Sequence, residues 1–370
     1  MNIAILYGGK TGEHEVSQVS ASSVARNINT KKHTVYLISI TKEGEWFLQG
    51  DAELERIKAD AKAILSDAPT GTKVTIVPGA GTAGAICSVK DGKLTTLPCD
   101  VVFPVMHGTF GEDGLVQGLL EMAELPYCGP DVMCSAISMD KEKTKLVWDY
   151  YGLPVVPYIT VRRIDRDDEA AFAAILKKSE KDFEWPVFVK PCRAGSSVGA
   201  NKAEDRDALI KAIDEALLWD DKVLIEAFIP AREVECSVTG FRDIAVYTPG
   251  EIIPSHEFYD YDAKYIDPDG AALRIPADLD ESRIREVRDM AVKAFRALDG
   301  SGMARIDFFI DKKTGKLYLN ELNTIPGFTN ISMFPKLCEA SGLPYPDLIE
   351  KLMQIAIERF KATRMLKTSR

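Results

Sequence analysis

Positive charge is the first thing this chain is short of. Its 370 residues hold 46 Lys and Arg against 56 Asp and Glu, a formal charge of −10 with a pI near 5.2. That balance excludes broad binding to nucleic-acid backbones, which needs a basic surface, but leaves room for a local basic pocket. Long apolar runs are also missing, so no membrane span is expected. The chain enters a strand-like run at once, Asn2-Ile3-Ala4-Ile5-Leu6-Tyr7, with no basic leader, and no export signal is expected. The seven cysteines are odd in number and scattered, with no Cys-x-x-Cys pair and no zinc spacing. This excludes a disulfide framework and fits reduced, buried thiols in a cytoplasmic enzyme; Cys192 reads as a small filler rather than a nucleophile. Repeats and low-complexity tracts are lacking too.

What is there is the composition of an ordinary globular protein, 46% hydrophobic and 28% charged, at a length that calls for two or three domains. Strands at 2–7, 34–40 and 101–105 alternate with a helical pattern over 16–28, which indicates a parallel α/β sheet with ligands at the carboxyl ends of its strands. The loop after the first strand, Gly8 to Glu15, lies at such an end but is not a G-x-G-x-x-G, so it does not signal a dinucleotide fold. Residues 43–48 read as a hairpin, 78–84 as plain loop, and 41–100 as an insertion in the first domain. A second unit begins near Pro130. It holds a helix over 141–151, strands at 187–190 and 223–226, and a charged helix over 203–219. The remainder carries strands around 233–240, 305–310 and 316–321, then helices over 281–298 and 345–363.

The chemistry is concentrated in two strands. Alternation puts Glu321 and Asn323 on one side of their strand, and Arg305 and Asp307 on one side of another. If the strands are adjacent, Asp307, Glu321 and Asn323 surround hard cations of the kind that hold Mg²⁺ against phosphates, with Arg305 beside them. The competing reading is a set of surface ion pairs. Upstream, Lys190 ends an apolar strand and leads into Gly195-Ser196-Ser197-Val198-Gly199, whose amides can nest an anion. A glycine loop alone is a weak signal; after Val-Lys-Pro it is stronger. Lys141 opens a helix and can reach the same phosphates, or simply face solvent. The apolar linker after Glu226 is a place for adenine between two domains, and Glu233, seven residues on, suits ribose hydroxyls.

Six motifs, in order, resemble those of the D-alanine–D-alanine ligases of the ATP-grasp superfamily, and the likeness covers nearly the whole chain. They are Gly12-Glu13-His14-Glu15-Val16-Ser17; His107-Gly108 with Gly111-Glu112-Asp113-Gly114; Met139-Asp140-Lys141; Lys190-Pro191 with the 195–199 loop; Phe258 to Tyr265; and Asn320 to Gly327. The resemblance implies a three-domain α/β (α+β) ATP-grasp fold. An N-terminal α/β domain over 1–129 carries the insertion, and domains over 130–229 and 230–370 clasp ATP. It implies ligation of two D-alanines through an acyl phosphate, for peptidoglycan precursors, with ATP and two Mg²⁺ or Mn²⁺, in a cytoplasmic homodimer.

By the same resemblance Lys141, Lys190 and Lys264 serve ATP, while Glu226, the Ala227 and Ile229 backbones and Glu233 hold adenine and ribose. Asp307, Glu321 and Asn323 take the metals. Glu13 takes the first ammonium and joins Ser196 and Tyr265 in a hydrogen-bonded set. Arg305 and the Gly327 amide form the oxyanion hole. Ser332, with Lys264 nearby, binds the second carboxylate. His107, oriented by Glu112, shapes the first pocket. A tyrosine at 265 favours D-alanine over D-lactate as acceptor, and residues 256–274 read as a mobile loop over the phosphates. The alternatives are an ATP-grasp ligase with another acceptor, such as D-serine or D-lactate, and an ATP-binding regulatory protein that has lost catalysis.

Overall fold

The computed structural model describes residues 1–254 and 271–367. Three sheets organise the chain. The first begins with β1 (Asn2–Gly8), α1 (His14–Asn27), β2 (Thr34–Ile40), β3 (Trp46–Leu48), α2 (Asp51–Ala59) and β4 (Lys73–Ile76). It continues through α3 (Gly81–Gly84), β5 (Ile86–Lys90), β6 (Lys93–Leu97), β7 (Val101–Val105) and α4 (Leu115–Met122). The strand order is β6-β5-β4-β3-β2-β1-β7. Strands β2, β1 and β7 run parallel, and β1 and β7 are apolar on both faces because helices cover both. The stretch read as an insertion is part of this sheet: β3 to β6 extend it as antiparallel strands. One turn of helix, α3, occupies part of the expected loop at 78–84.

Two helices lead out of this unit, α5 (Val132–Met139) and α6 (Lys141–Tyr150). Each starts at an aspartate whose side chain accepts from the backbone three residues on, Asp131 from Cys134 and Asp140 from Lys143. The second sheet comprises β8 (Tyr158–Arg162), β9 (Val187–Pro191), β10 (Asn201–Ala203) and β11 (Lys222–Ala227), in the order β10-β9-β11-β8. Helices α7 (Arg163–Asp167), α8 (Glu169–Asp182) and α9 (Arg206–Ala216) accompany it, and its apolar core includes Phe172, Leu176, Leu209 and Ile213.

The third sheet contains β12 (Ala231–Gly240), β13 (Ile244–Val246), β14 (Gly250–Pro254) and β15 (Ala271–Arg274). After α10 (Glu281–Ala297) come β16 (Gly302–Asp311) and β17 (Leu317–Asn323). Among the described residues the order is β15-β14-β12-β16-β17, with β13 also on β12. The mobile-loop expectation is therefore too long at its end: residues 271–274 form a strand paired with β14. Residues 255–270 lie outside the described residues.

The chain closes with α11 (Met333–Ala340) and α12 (Tyr345–Arg364). Leu348, Leu352 and Met353 of α12 share one core with Ile3, Ile5 and Phe103 of the first sheet. Arg359 fixes this return by donating to the Ser301 hydroxyl (2.9 Å) and the Tyr127 carbonyl (3.1 Å). The last segment thus packs against the first, and the first and third sheets share a core. No helix among the described residues is long and apolar enough to cross a membrane, and all seven cysteines are free and buried.

Candidate active site

Strands β16 and β17 pair so that Arg305 lies opposite Asn323 and Asp307 opposite Glu321, with an irregular step just after Asp307. The period-two side-chain pattern then gathers all four groups on one face. Arg305 forks onto Asp307 at 2.8 and 2.7 Å, and its Nε lies 3.0 Å from Glu235 on the neighbouring β12. Burial opposes a charged guanidinium, but Asp307 and Glu235 outweigh it and hold Arg305 firmly protonated. Asn323 donates to Asp307 at 3.0 Å. Lys141 stands 3.7 Å from Glu321 and donates to the Ala194 carbonyl at 2.8 Å.

Three carboxylates thus face two cations here. Among the described residues no three His, Cys, Asp or Glu side chains gather as a metal site. Two carboxylates and an amide on adjacent strands instead suit Mg²⁺, which takes few protein ligands and completes its octahedron with phosphate and water. The donor set fits the ion.

Next to this cluster stand side chains of β9 and α6. Lys190 lies 2.8 Å from Glu226 and donates to Asn320 at 3.1 Å. Lys141 is the first residue of α6, and its neighbours Asp140 and Glu142 both receive Lys222, at 2.6 and 2.7 Å. In the loop after β9, Ser196 and Ser197 adopt positive φ, 51° and 60°. Two successive left-handed non-glycine residues are costly and mark a conformation held for use. The Glu226 carboxylate is buried between Lys190 and Lys145, the latter at 3.0 Å. The Ala227 N–H is spent on the Pro157 carbonyl at 3.0 Å. Ile229 lies half-buried between β11 and β12, and Glu233 lines the cleft from β12.

The opposite end is made of loops. Glu13 sits at the start of α1, and the Ser196 hydroxyl donates to its carboxylate across 183 residues of sequence. Gly108, at φ +71°, holds a left-handed conformation that favours glycine, and a Cβ there would push the Glu13 carboxylate 2.7 Å away out of its place. Burial pulls His107 below the usual histidine range, so its ring is neutral. Nδ1 donates to the Ile325 carbonyl and Nε2 accepts from Ser20, both at 3.0 Å. Glu112 does not orient this ring. It accepts from the Gly108 and Ile325 amides at 2.9 and 3.0 Å instead, so His107 and Glu112 hold opposite sides of Ile325. Burial first, then the Glu13 charge, push Glu112 up to about 8. Two residues on, a Cβ at Gly327 would come within 2.7 Å of the Ser332 hydroxyl. That hydroxyl accepts from the Thr329 amide at 3.0 Å.

The two ends open into one cleft of about 1230 Å³, lined among others by Glu13, Lys141, Ser196, Asp307, Gly327 and Ser332. Tyr265 and Lys264 lie outside the described residues. Sequence reasoning missed Glu235, which shares Arg305, and Lys145, which shares Glu226. Lys145 carried a signal: it lies four residues after Lys141, on the same helix face.

Comparison with known proteins places this cleft in context. The family described as "D-ala D-ala ligase N-terminus" matches residues 2–130, and "D-ala D-ala ligase C-terminus" matches 147–354. A D-alanine–D-alanine ligase of Treponema denticola is 59% identical over 371 residues, covering 100% of both chains. One from Acetivibrio thermocellus is 46% identical, covering 97% of this chain and 96% of its own. Among solved structures, the D-alanine–D-alanine ligase of Coxiella burnetii superposes with a TM-score of 0.83 at 35% identity, covering 99% of this chain and 96% of that one. The VanG D-Ala:D-Ser ligase of Enterococcus faecalis gives 0.82 at 34%, covering 96% and 99%.

Proposed function

This chain belongs to the D-alanine–D-alanine ligase family, and from that premise we propose how its cleft divides the work. The fold is the ATP-grasp architecture. The enzyme joins two D-alanines at the expense of ATP, a step of peptidoglycan precursor synthesis. The roles of individual residues are our reading. Its main support is one observation: Asp307 and Glu321 face each other on paired strands, with Arg305 forked onto Asp307.

Lys141 and Lys190 hold the ATP phosphates, and Glu233 with the backbone from Ala227 to Ile229 receives the nucleoside. Asp307, Glu321 and Asn323 hold two Mg²⁺ or Mn²⁺, which when bound neutralise the phosphoryl oxygens. Glu13 takes the ammonium of the first D-alanine, a charge-assisted contact that places its carboxylate toward the γ-phosphate. Transfer of that phosphoryl group yields an acyl phosphate and ADP. The amine of the second D-alanine, its carboxylate at Ser332, adds to the acyl carbon. Arg305 and the Gly327 amide stabilise the tetrahedral oxyanion, which collapses and expels phosphate. His107 and Glu112 keep the loop bearing Gly327 at the correct height by gripping Ile325. By the same reading, a tyrosine at position 265 favours an amine acceptor over D-lactate.

We further infer three domains, 1–129, 130–229 and 230–370, each around one of the three sheets, and a cytoplasmic homodimer. Light scattering of the purified enzyme at micromolar concentration tests the dimer; a monomer mass overturns it. The reaction is tested by phosphate release with ATP, Mg²⁺ and D-alanine alone, then with D-serine or D-lactate added, and by the masses of the products. D-alanyl-D-alanine from D-alanine alone is the expected result. Product only with a different acceptor would keep the nucleotide site and overturn the assignment of the second pocket.

A further inference from the structure

Lys145 has no place in the division of labour above, yet it is one of the largest wholly buried side chains in the molecule. It lies one helical turn after Lys141 on α6. Its Nζ stands 3.0 Å from one oxygen of Glu226, out of hydrogen-bond alignment, and 5.7 Å from the Tyr158 ring centre. The other oxygen of Glu226 lies 2.8 Å from Lys190. Glu226 is therefore a buried carboxylate shared by two lysines, of which Lys190 also donates to Asn320 in the lining of the cleft.

A buried ion cluster is a poor device for stability, because desolvation consumes most of the attraction. Its retention here has a use in the charge arithmetic. With Lys145 in place the three groups sum to one positive charge, available at Lys190. Without it Glu226 has a single counter-ion, and phosphate must compete with that carboxylate for Lys190. Burial pulls Lys145 down to about 8, against the pull of Glu226, whose carboxylate 3.0 Å away favours the charged form. We propose that Lys145 is a positioning residue for ATP: by occupying one oxygen of Glu226 it leaves the charge of Lys190 free for phosphate. This rests on the reading of Lys190 as a phosphate ligand.

The test compares equilibrium binding of Mg·ADP and of adenosine to the wild type, Lys145→Met, the double variant Lys145→Met with Glu226→Gln, and Lys190→Met. Lys145→Met weakens Mg·ADP about tenfold, the weight of one charge-assisted contact, and leaves adenosine within about twofold. The double variant removes cation and anion together and returns Mg·ADP to within about threefold of wild type. Equal losses for ADP and adenosine would mean Lys145 merely packs, and overturn the proposal. So would wild-type ADP binding by Lys145→Met, or a double variant no better than the single. Should the single variant fail to fold, the double decides: near-wild-type ADP binding supports the inference and a tenfold loss ends it. Lys190→Met separates the two readings. Unchanged ADP affinity there removes Lys190 from the phosphates, whereas a loss there with none at Lys145→Met removes only Lys145.

Discussion

The two ends of the cleft are built on different principles. At the strand end, Arg305, Asp307, Glu321 and Asn323 stand on two paired strands, and apart from the Lys141–Glu321 pair the charges meet neighbours a few residues away or on an adjacent strand. At the loop end, Glu13, His107, Glu112 and Ser196 stand on loops, and their bonds span 183, 218 and 213 residues of sequence. A strand pair fixes charges before any ligand arrives, which suits groups that must stabilise a transition state without reorganising. Loops tied across sheets close a pocket whose geometry depends on several segments meeting. Damage at the first end should therefore appear in the chemical step, and damage at the second in the affinity for D-alanine.

Arg305→Ala is the strongest probe of this contrast. The variant should lower kcat by about 10² to 10³, the usual loss for a missing oxyanion donor. A change confined to KM in steady-state kinetics would erase the distinction between the ends. Glu321→Gln comes next. Removing one carboxylate from the cation set should raise the half-saturating Mg²⁺ concentration by about tenfold to thirtyfold with the fold intact by circular dichroism. A wild-type Mg²⁺ response would take Glu321 out of the site. Ser196→Ala tests the loop end. It deletes the hydroxyl that reaches Glu13 and should lower kcat/KM for D-alanine about tenfold while leaving Mg·ADP binding unchanged. A parallel loss of ADP affinity would show that the 195–199 loop serves both ends at once.

The same contrast explains what was legible in the sequence. Alternation alone paired Arg305 with Asp307 and Glu321 with Asn323, since a strand writes its faces directly into residue spacing. Helix α10 and strands such as β2 and β11 also declared themselves within about a residue or two by periodicity. The grip of His107 and Glu112 on Ile325 was not legible, because nothing local records a contact 200 residues away. For that reason the pairing of His107 with Glu112 that the resemblance implied gives way to separate contacts of both with Ile325. The lysine partners of Glu226 were hidden in another way: it ends β11, and its carboxylate turns inward to Lys145 and Lys190, one on a helix and one on the paired strand, far away in sequence. The first sheet hid its extra strands because β6 is largely exposed and apolar at few positions, so its pattern was weak.

The smallest effect separates holding a charge in place from using it. Glu142 lies beside Lys141 but makes its contacts away from the cleft, with Lys222 at 2.7 Å and Arg162 at 2.8 Å. Burial penalises its charge, yet Lys222 and Arg162 more than compensate and hold the carboxyl at about 2 rather than 4.5. The folded group thus keeps its charge to lower pH than the unfolded one. Its stabilisation is fully present above pH 4.5 and is lost progressively as pH falls through 2. Glu142→Gln should cost about 1–2 kcal/mol in urea unfolding at pH 7, less than a fully buried pair because Arg162 remains partly in solvent. Its kcat should stay within about twofold of wild type, since Asp140 and Lys222 still anchor the start of α6. The stability gap should narrow as the unfolding is repeated from pH 5 toward pH 3. A gap that held constant over that range would assign the loss to packing, and a large fall in kcat would make Glu142 part of the machinery that aims Lys141.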